Sequence, residues 1–342
     1  MITIENLTKF YGNNRAVNNI SFTINDNEIL GFLGPNGAGK STTMNMIAGY
    51  LPMSGGTVTI SGTDISKDPV KAKAKIGYLP QDPPVYPDMR VKEYMSFCAG
   101  LKRIPHSKKK DEIKRVMELL SITDVKDKLI KNLSGGYKRR VGFAQAILGN
   151  PDFIILDEPT VGLDPNQVIE VRNIIKDLRK SHSVIFSSHI LSEVSEVCDR
   201  VVIINKGDIR AIDTIENLEK SFGATSVLHI KVNGSKTKSA SIIEMTKGVK
   251  EITDITEEDN GSFSFTAQLD GNAEEVRRNL MAELIQNKVD IAEIYSEKPN
   301  LENVFIELIN RPAKSGGLME LVNEITPENA TDNDDDKKEE NE

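Results

Sequence analysis

A glycine-rich segment is the first place where residue types and spacing indicate chemistry. Its sequence Gly34-Pro35-Asn36-Gly37-Ala38-Gly39-Lys40-Ser41 fits the pattern G-x-x-x-x-G-K-[ST], between a strand-like run and a helix-like run. Glycines let backbone N–H groups approach phosphate oxygens, and a helix N-terminus adds partial positive charge. Lys40 would serve as the cation for the β- and γ-phosphates, and the Ser41 hydroxyl could bind Mg²⁺. The segment therefore predicts binding of a nucleoside triphosphate.

Two carboxylates follow an apolar run further along the chain. Residues 153–156 read Phe-Ile-Ile-Leu, and Asp157 and Glu158 come directly after them. A buried strand would carry both side chains to its carboxyl end, which is where ligands bind in open α/β sheets. Asp157 suits a metal ion, whereas Glu158 suits a general base or a residue that positions water. Together with the glycine-rich segment, this pattern predicts hydrolysis of the bound nucleotide.

A second glycine pair precedes a predicted helix at about residues 138–148. The sequence Leu133-Ser134-Gly135-Gly136-Tyr137 offers Ser134 as an N-cap and leaves two glycines whose N–H groups are accessible to an anion. One nucleotide has one γ-phosphate, so a second phosphate cradle in the same chain requires an explanation. A symmetric homodimer supplies one, because Ser134, Gly135 and Gly136 of one subunit would face the phosphates bound by the other.

Short apolar runs and longer helical patterns alternate through the first two thirds of the chain, which predicts an α/β fold with a parallel core. We expect strands at residues 2–7, 21–25, 29–33, 57–60, 76–79, 153–156, 183–187 and 200–204. Between residues 83 and 150 the pattern changes to a proline-rich loop followed by helices at about 91–101 and 108–121. This segment predicts a small helical subdomain inserted into an ATP-binding domain of residues 1–215.

The remainder of the chain predicts a second, smaller α+β unit over residues 216–312. Strands at 226–232, 249–256, 262–269 and 289–295 and helices at 239–247 and 273–287 give the βαββαβ order of ferredoxin-like domains. A last helix is expected after Asn300, with one apolar stripe formed by Leu301, Val304, Phe305, Leu308 and Ile309. Residues 313–342 are predicted to be a mostly disordered tail, although a short apolar stripe in it could cap the second unit or act as a docking helix.

Composition excludes several classes of protein. The chain has 342 residues and a net charge of −8, of which residues 313–342 carry −7 through ten acids and three lysines. The remaining 312 residues are therefore near neutral, and a basic nucleic-acid surface is not indicated. The apolar runs are four or five residues long, well short of the roughly 20 of a membrane-spanning helix, and no secretion signal is evident. With two cysteines and no disulfide framework, we expect a location in the reduced cytoplasm.

Taken together, the motifs over residues 1–215 resemble those of the ATP-binding subunit of an ABC transporter. The likeness rests on the glycine-rich segment, Gln81, the Leu-Ser-Gly-Gly run, the Asp157-Glu158 pair, the Gly162-Leu163-Asp164 run and His189, all in the family's order. The resemblance implies that ATP and Mg²⁺ are bound and that the phosphate loop includes Thr42. It also implies roles for four further residues: adenine stacking for Tyr11, contact with Mg²⁺ and the attacking water for Gln81, communication across the dimer for Asp164, and γ-phosphate sensing for His189. The other histidines, His106, His182 and His229, have no such context, and we expect them at the surface.

The second unit resembles the extra C-terminal domain of ATPase subunits in drug, antibiotic and gliding-motility exporters, on the strength of residues 300–308. The resemblance implies a separate permease chain as partner, a second copy of the chain across the ATP sites, and a position on the inner face of the cell membrane. A soluble ABC-type ATPase acting on ribosomes or DNA is the alternative. It is disfavoured because the chain has one cassette and no room for a long coiled coil.

Overall fold

The computed structural model describes residues 1–222, 227–258, 261–270, 272–297, 305–306 and 308–309. Its main sheet has six strands in the order β10-β9-β3-β8-β7-β6. These strands are β3 (Ile29–Leu33), β6 (Ile76–Leu79), β7 (Phe153–Asp157), β8 (Ser183–Ser188), β9 (Arg200–Asn205) and β10 (Asp208–Asp213). All neighbours are parallel except β10, which pairs antiparallel with β9. The predicted parallel core is therefore confirmed.

Register within this sheet aligns the strand ends that the sequence analysis singled out. Leu33 pairs with Ser188, Asp157 pairs with Ser187, and Leu79 pairs with Leu156. The four central strands are buried on both faces, as expected for apolar runs in a covered parallel sheet. Their carboxyl ends consequently meet at one edge, and the segments that follow them lie side by side there.

A second sheet covers one face of the first. It contains β1 (Ile2–Tyr11), β2 (Asn14–Ile24), β4 (Gly55–Ile60) and β5 (Thr63–Asp64) in the order β2-β1-β4-β5. Helix α1 (Lys40–Ile47) shares a core with both sheets, to which it contributes Met44, Met46 and Ile47. A short helix, α2 (Pro69–Ala74), follows β5. This packing fixes the start of α1, and with it the phosphate loop, against β3.

Helices cover the other face of the main sheet. They are α3 (Val91–Leu101), α4 (His106–Leu119), α5 (Gly135–Ile147), α6 (Pro165–Leu178) and α7 (Leu191–Val197). Helices α3, α4 and α5 form the inserted subdomain, and their buried faces join one core with α6, α7 and the sheet. Among the described residues, no helix has the length and apolar character that crossing a membrane requires.

A partly buried cation fixes the far end of α5. Lys102, just after α3, donates from Nζ to the carbonyl oxygens of Ala146 at 2.8 Å and Leu148 at 2.7 Å. These carbonyls belong to the last turn of α5, where helices leave acceptors unsatisfied and favour positive charge. Burial lowers the pKa of Lys102 to about 8. The helix that begins at the glycine pair is therefore anchored to α3 at its carboxyl end.

The second unit has the predicted element order. After α8 (Ile215–Phe222) come β11 (Val227–Asn233), α9 (Lys236–Met245), β12 (Val249–Glu257), β13 (Ser262–Leu269), α10 (Ala273–Gln286) and β14 (Asp290–Glu297). The antiparallel sheet has the order β12-β13-β11-β14 and packs its own apolar core against α9 and α10. The βαββαβ prediction is confirmed, while the domain limits at residues 215 and 312 stay a prediction.

Part of the last predicted helix is described. Phe305, Ile306, Leu308 and Ile309 are helical, and Leu308 is buried in the core that underlies the main sheet. Asn205 Nδ2 donates to the carbonyl oxygen of Ile309 at 3.1 Å. The remainder of that prediction, including Asn300, Leu301 and Val304, lies outside the described residues, as does the tail of residues 313–342.

Several details differ from the sequence predictions. Strand β1 runs to Tyr11 rather than to residue 7, and β5 was not predicted. Strand β2 begins at Asn14 rather than near residue 21, because a left-handed backbone at Asn19 breaks its apolar alternation without ending it. Strand β10 was not predicted. His182 is buried rather than at the surface, because it lies at the start of β8 with Nδ1 2.6 Å from the carbonyl oxygen of Pro151. Burial lowers the pKa of His182.

Candidate nucleotide-binding and hydrolysis site

The phosphate loop joins β3 to α1 at the carboxyl edge of the main sheet. Gly39 has a φ of 109°, and a Cβ there would lie 2.7 Å from the carbonyl oxygen of Ala16. A Cβ at Gly34 would lie 2.3 Å from the carbonyl oxygen of Ile204. Only glycine fits these two positions, so the loop sits tightly against β2 and β9.

Lys40 is the buried cation of this loop. Its Nζ donates to the carbonyl oxygens of Gly34 at 2.9 Å and Pro35 at 3.3 Å. It also lies 3.3 Å from Glu158 Oε1, and both side chains are less than a tenth exposed. A buried charge needs such partners, because removing it from water is costly. The ammonium therefore lies inside the loop and next to the second carboxylate of the β7 end.

Asp157 faces the other side of the loop. Its Oδ1 accepts hydrogen bonds from Ser41 Oγ at 3.1 Å and from Ser187 Oγ at 2.6 Å. Burial raises the pKa of Asp157, and the two hydroxyl groups act in the opposite direction. The described residues contain no cluster of three or more His, Cys, Asp and Glu side chains that would hold a metal alone. Ser41 and Asp157 nevertheless offer the hard oxygen donors that Mg²⁺ takes when phosphate and water complete its shell.

Glu158 adopts a backbone conformation that is unusual for its residue type. Its φ is 51°, in the left-handed region, and its N–H donates to Ser187 Oγ at 2.9 Å. Its Oε2 lies 2.8 Å from His189 Nδ1, while its Oε1 faces Lys40. Strained backbone of this kind concentrates at functional sites. The structure therefore brings Lys40, Glu158 and His189 together, as the sequence analysis predicted.

A buried glutamate that the sequence analysis missed supports the same edge. Glu193, on α7, accepts hydrogen bonds at Oε2 from Thr160 Oγ1 and Ser188 Oγ, each at 2.8 Å. Glu193 is 2% exposed. Thr160 follows the β7 carboxylates and Ser188 precedes His189, so one carboxylate joins the segments at the ends of β7 and β8. Glu193 lies four residues after His189, and this spacing does not by itself indicate a functional motif.

Replacing Glu193 with Ala should destabilise the protein. The change leaves two buried hydroxyl groups without their acceptor, and a lost buried partner of this kind costs about 1–3 kcal/mol for each group. We expect the free energy of unfolding, measured by urea titration, to fall by at least 2 kcal/mol. Glu196→Ala is the control, because Glu196 lies on the same helix and pairs with Arg172 in an exposed position. Equal stability of the two variants would contradict this account.

Arg139 is the second residue that the sequence analysis missed. It lies on α5, and its guanidinium donates to the carbonyl oxygens of Pro159 at 2.8 Å, Gln81 at 2.9 Å, Asp157 at 3.3 Å and Glu158. Nothing in its residue type or spacing distinguishes it from the cations on either side of it. Its contacts become visible only when the two strand ends are brought together in space.

The remaining predicted site residues lie at several places around this edge. Gln81 is exposed two residues beyond β6, next to the β7 end, and Thr42 lies in the first turn of α1. Tyr11, half exposed at the end of β1, has Lys9 Nζ 5.3 Å from its ring centroid. Asp164 caps α6 by accepting from the N–H of Gln167 at 3.0 Å. The roles of these residues stay predictions.

The glycine pair begins α5, as predicted. Ser134 caps the helix by accepting from the N–H of Tyr137 at 3.4 Å. Ser134 and Gly135 are exposed, and a Cβ at Gly135 would meet no atom within 4 Å. Gly136 is buried against Gln167. Ser134 and Gly135 are thus accessible to a ligand or a partner.

These features define a P-loop ATPase fold that carries an inserted helical subdomain and a second glycine-rich helix start. A family profile described as "ABC transporter" matches residues 17–161. The linearmycin resistance ATP-binding protein LnrL of Bacillus subtilis is 34% identical over 316 residues, which cover 91% of this chain and 99% of that protein. The chain belongs to the ATP-binding proteins of ABC transporters, a family of ATPases.

Some relatives match a smaller share of the chain. The lipopolysaccharide export system ATP-binding protein LptB of Escherichia coli is 39% identical over 219 residues, or 62% of this chain and 90% of that protein. Among solved structures, cbiO1 from Clostridium perfringens has a TM-score of 0.57 and 29% identity, covering 62% of this chain and 88% of that one. An ATP-binding subunit of an ABC transporter has a TM-score of 0.61 at 24% identity, covering 65% and 93%, and supports the fold alone.

Proposed function

We propose that this chain is the ATP-hydrolysing subunit of an exporter, dimerises when it binds ATP, and powers a separate membrane permease. The observation that carries the proposal is the cluster of Lys40, Glu158 and His189 beside the Ser41–Asp157 pair. It joins a buried cation, two carboxylates and a histidine at one end of a phosphate loop. These are the groups that phosphoryl transfer to water requires.

The chemistry follows from where each group lies. Lys40 and the N–H groups of the loop bind the phosphates, and Glu158 polarises a water molecule for in-line attack on the γ-phosphate. Lys40, His189 and Gln81 stabilise the charge that develops on the phosphate oxygens. Ser41 and Asp157, with Gln81, are the residues that would hold Mg²⁺, which neutralises phosphate charge when bound. Tyr11 stacks on the adenine ring.

Dimerisation is supported by the exposure of the second glycine-rich helix start. Ser134 and Gly135 present the exposed N-terminal turn of a 13-residue helix, the type of site that binds anions. In a symmetric pair, this turn of one copy would complete the nucleotide site of the other. Asp164 lies just beyond the β7 carboxylates and is the residue we expect to carry the signal between the two sites.

The permease is expected to dock on the helical subdomain. Tyr86, in the proline-rich loop, and Phe97, on α3, pack edge to face with ring centroids 5.5 Å apart while 51% and 38% of each residue is exposed. Exposed aromatic pairs of this kind are enriched at protein interfaces. Because this loop follows Gln81, a partner bound there would lie close to the nucleotide site. The similarity to LptB, which belongs to a lipopolysaccharide export system, supports export, and such a subunit would lie on the inner face of the cell membrane.

Two measurements test the proposal. The purified chain should hydrolyse ATP, and it should co-purify in detergent with the membrane protein encoded next to it. Tyr86→Ser combined with Phe97→Ser should reduce this retention at least tenfold and leave the ATPase activity of the free subunit within twofold. Tyr295→Ser, which removes an equally exposed tyrosine from β14, is the control. Absence of ATP hydrolysis, or retention unchanged by the double substitution, would contradict the proposal.

A further inference from the structure

We infer that Arg139 is a positioning residue for hydrolysis, which holds the backbone of Glu158 and links it to the glycine-capped helix. The inference rests on the proposed ATPase activity but concerns a residue that none of the predicted motifs includes. Among the described contacts, all hydrogen bonds of Arg139 go to backbone carbonyl oxygens, and its charge acts on the Asp157 and Glu158 carboxylates only at longer range. Its direct hold is therefore on the backbone of these residues.

The geometry of the guanidinium supports this role. It uses four donor contacts, three of which go to the consecutive carbonyl oxygens of Asp157, Glu158 and Pro159. The fourth goes to the carbonyl oxygen of Gln81, in the segment that follows β6. Only arginine has five N–H donors in a rigid planar fork, so a lysine at this position could not replace these contacts.

The residue that most needs this support is Glu158. Its left-handed φ of 51° is unfavourable for a residue with a side chain and persists only where surrounding contacts enforce it. The N–H side of Glu158 is held by Ser187 Oγ, and its carbonyl side is held by Arg139. With both sides of the residue fixed, the side chain is directed between Lys40 and His189, where a general base must lie.

The side chain of Arg139 also links two parts of the site. Arg139 lies four residues after Gly135, so its Cα is one turn into the helix whose start is exposed at Ser134 and Gly135. A displacement of α5 would therefore move the carbonyl groups around Glu158 and Gln81 together. Lys102 anchors the other end of the helix, which makes α5 a stiff connection rather than a mobile one.

Substitution at Arg139 should separate catalysis from binding. We expect Arg139→Gln to lower kcat for ATP hydrolysis by about 10- to 100-fold, since small misplacements of catalytic groups have effects of this size. The KM for ATP should stay within threefold, because Lys40 and the phosphate loop are unchanged. Arg139→Lys should not rescue kcat. Arg140→Gln is the matched control, since Arg140 is the next residue on the helix and pairs with the exposed Glu170.

A double-mutant cycle tests whether Arg139 acts through Glu158. Residues that work as one unit are strongly non-additive. In single-turnover measurements, Arg139→Gln should therefore slow hydrolysis less than threefold when Glu158 is already Gln. A full 10- to 100-fold further loss would overturn the inference, as would kcat equal to that of Arg140→Gln or restoration of kcat by lysine.

Hydrogen exchange provides a readout that does not depend on ATPase activity. In nucleotide-free protein, Arg139→Gln should raise the exchange rate of the amides of Glu158, Thr160 and Val161 at least tenfold relative to Arg140→Gln. Unchanged exchange would overturn the inference even if the wild-type chain hydrolysed no ATP. Conversely, an inactive wild-type chain with the expected change in exchange would contradict the proposed function and leave the backbone role of Arg139 supported.

Discussion

Replacing Glu158 with Gln should abolish most ATP hydrolysis while ATP binding is retained. The amide keeps the size of the side chain but cannot accept a proton from water, and loss of a general base costs roughly 10²–10⁴-fold in rate. Lys40, Ser41 and the loop glycines, which bind the phosphates, are unchanged. We expect turnover to fall at least a hundredfold in a steady-state phosphate-release assay.

The same variant should accumulate as an ATP-bound dimer, because closure no longer leads to hydrolysis. Light scattering in saturating ATP should give twice the monomer mass, and removal of ATP should reverse the change. Glu118→Gln is the control, since Glu118 is exposed on α4 and pairs only with Lys114 in the described contacts. Steady-state turnover near the wild-type value would refute the role of Glu158, and a purely monomeric variant in ATP would count against ATP-driven dimerisation.

Replacing Ser134 with Arg should abolish ATP-driven dimerisation without preventing a single subunit from binding nucleotide. The bulky side chain would occupy the exposed N-terminal turn of α5, against which we expect the partner's phosphates to lie. Because Ser134 does not belong to the phosphate loop of its own chain, the Kd of the monomer for ATP should remain within threefold of the wild-type value. Hydrolysis should fall at least a hundredfold if each site needs both copies.

Ser235→Arg is a matched control for this substitution. Ser235 caps α9 in the second unit, where it accepts from the N–H of Lys238, so both variants lose a helix cap and gain an arginine. Placing Ser134→Arg in the Glu158→Gln background gives the clearest readout, since the parent variant should be a stable dimer. A dimer that survives Ser134→Arg would contradict a shared nucleotide site.

The sequence predicted the parallel strands of the main sheet well, and with them the sheet edge at which the candidate site residues lie. Strands β3 and β6 have the predicted limits, and β7 and β8 each extend one residue beyond them. Because neighbouring parallel strands end at the same edge, Lys40, Gln81, Asp157 and His189 could be grouped without knowledge of the fold. The apolar runs specify the strands, and polar residues directly after them are brought to the edge.

Residues that act through distant contacts could not be predicted in this way. Arg139 and Glu193 lie on helices, and their partners belong to the turns after β6, β7 and β8. Which helix face meets those turns depends on how the subdomain packs on the sheet, and local periodicity does not encode that. His182 shows the same limit, because its burial depends on the approach of Pro151 from a separate loop.

The pairing of Lys40 with Glu158 has a consequence for affinity. Glu158 is the counterion of Lys40, the cation that we expect to bind the phosphates, and both charges lie almost completely out of water. A triphosphate therefore competes with this carboxylate for Lys40, and part of its interaction free energy goes into separating the pair. Binding of the triphosphate and release of Glu158 from Lys40 are therefore coupled in one exchange equilibrium. Glu158 becomes free of Lys40 only when the substrate takes its place.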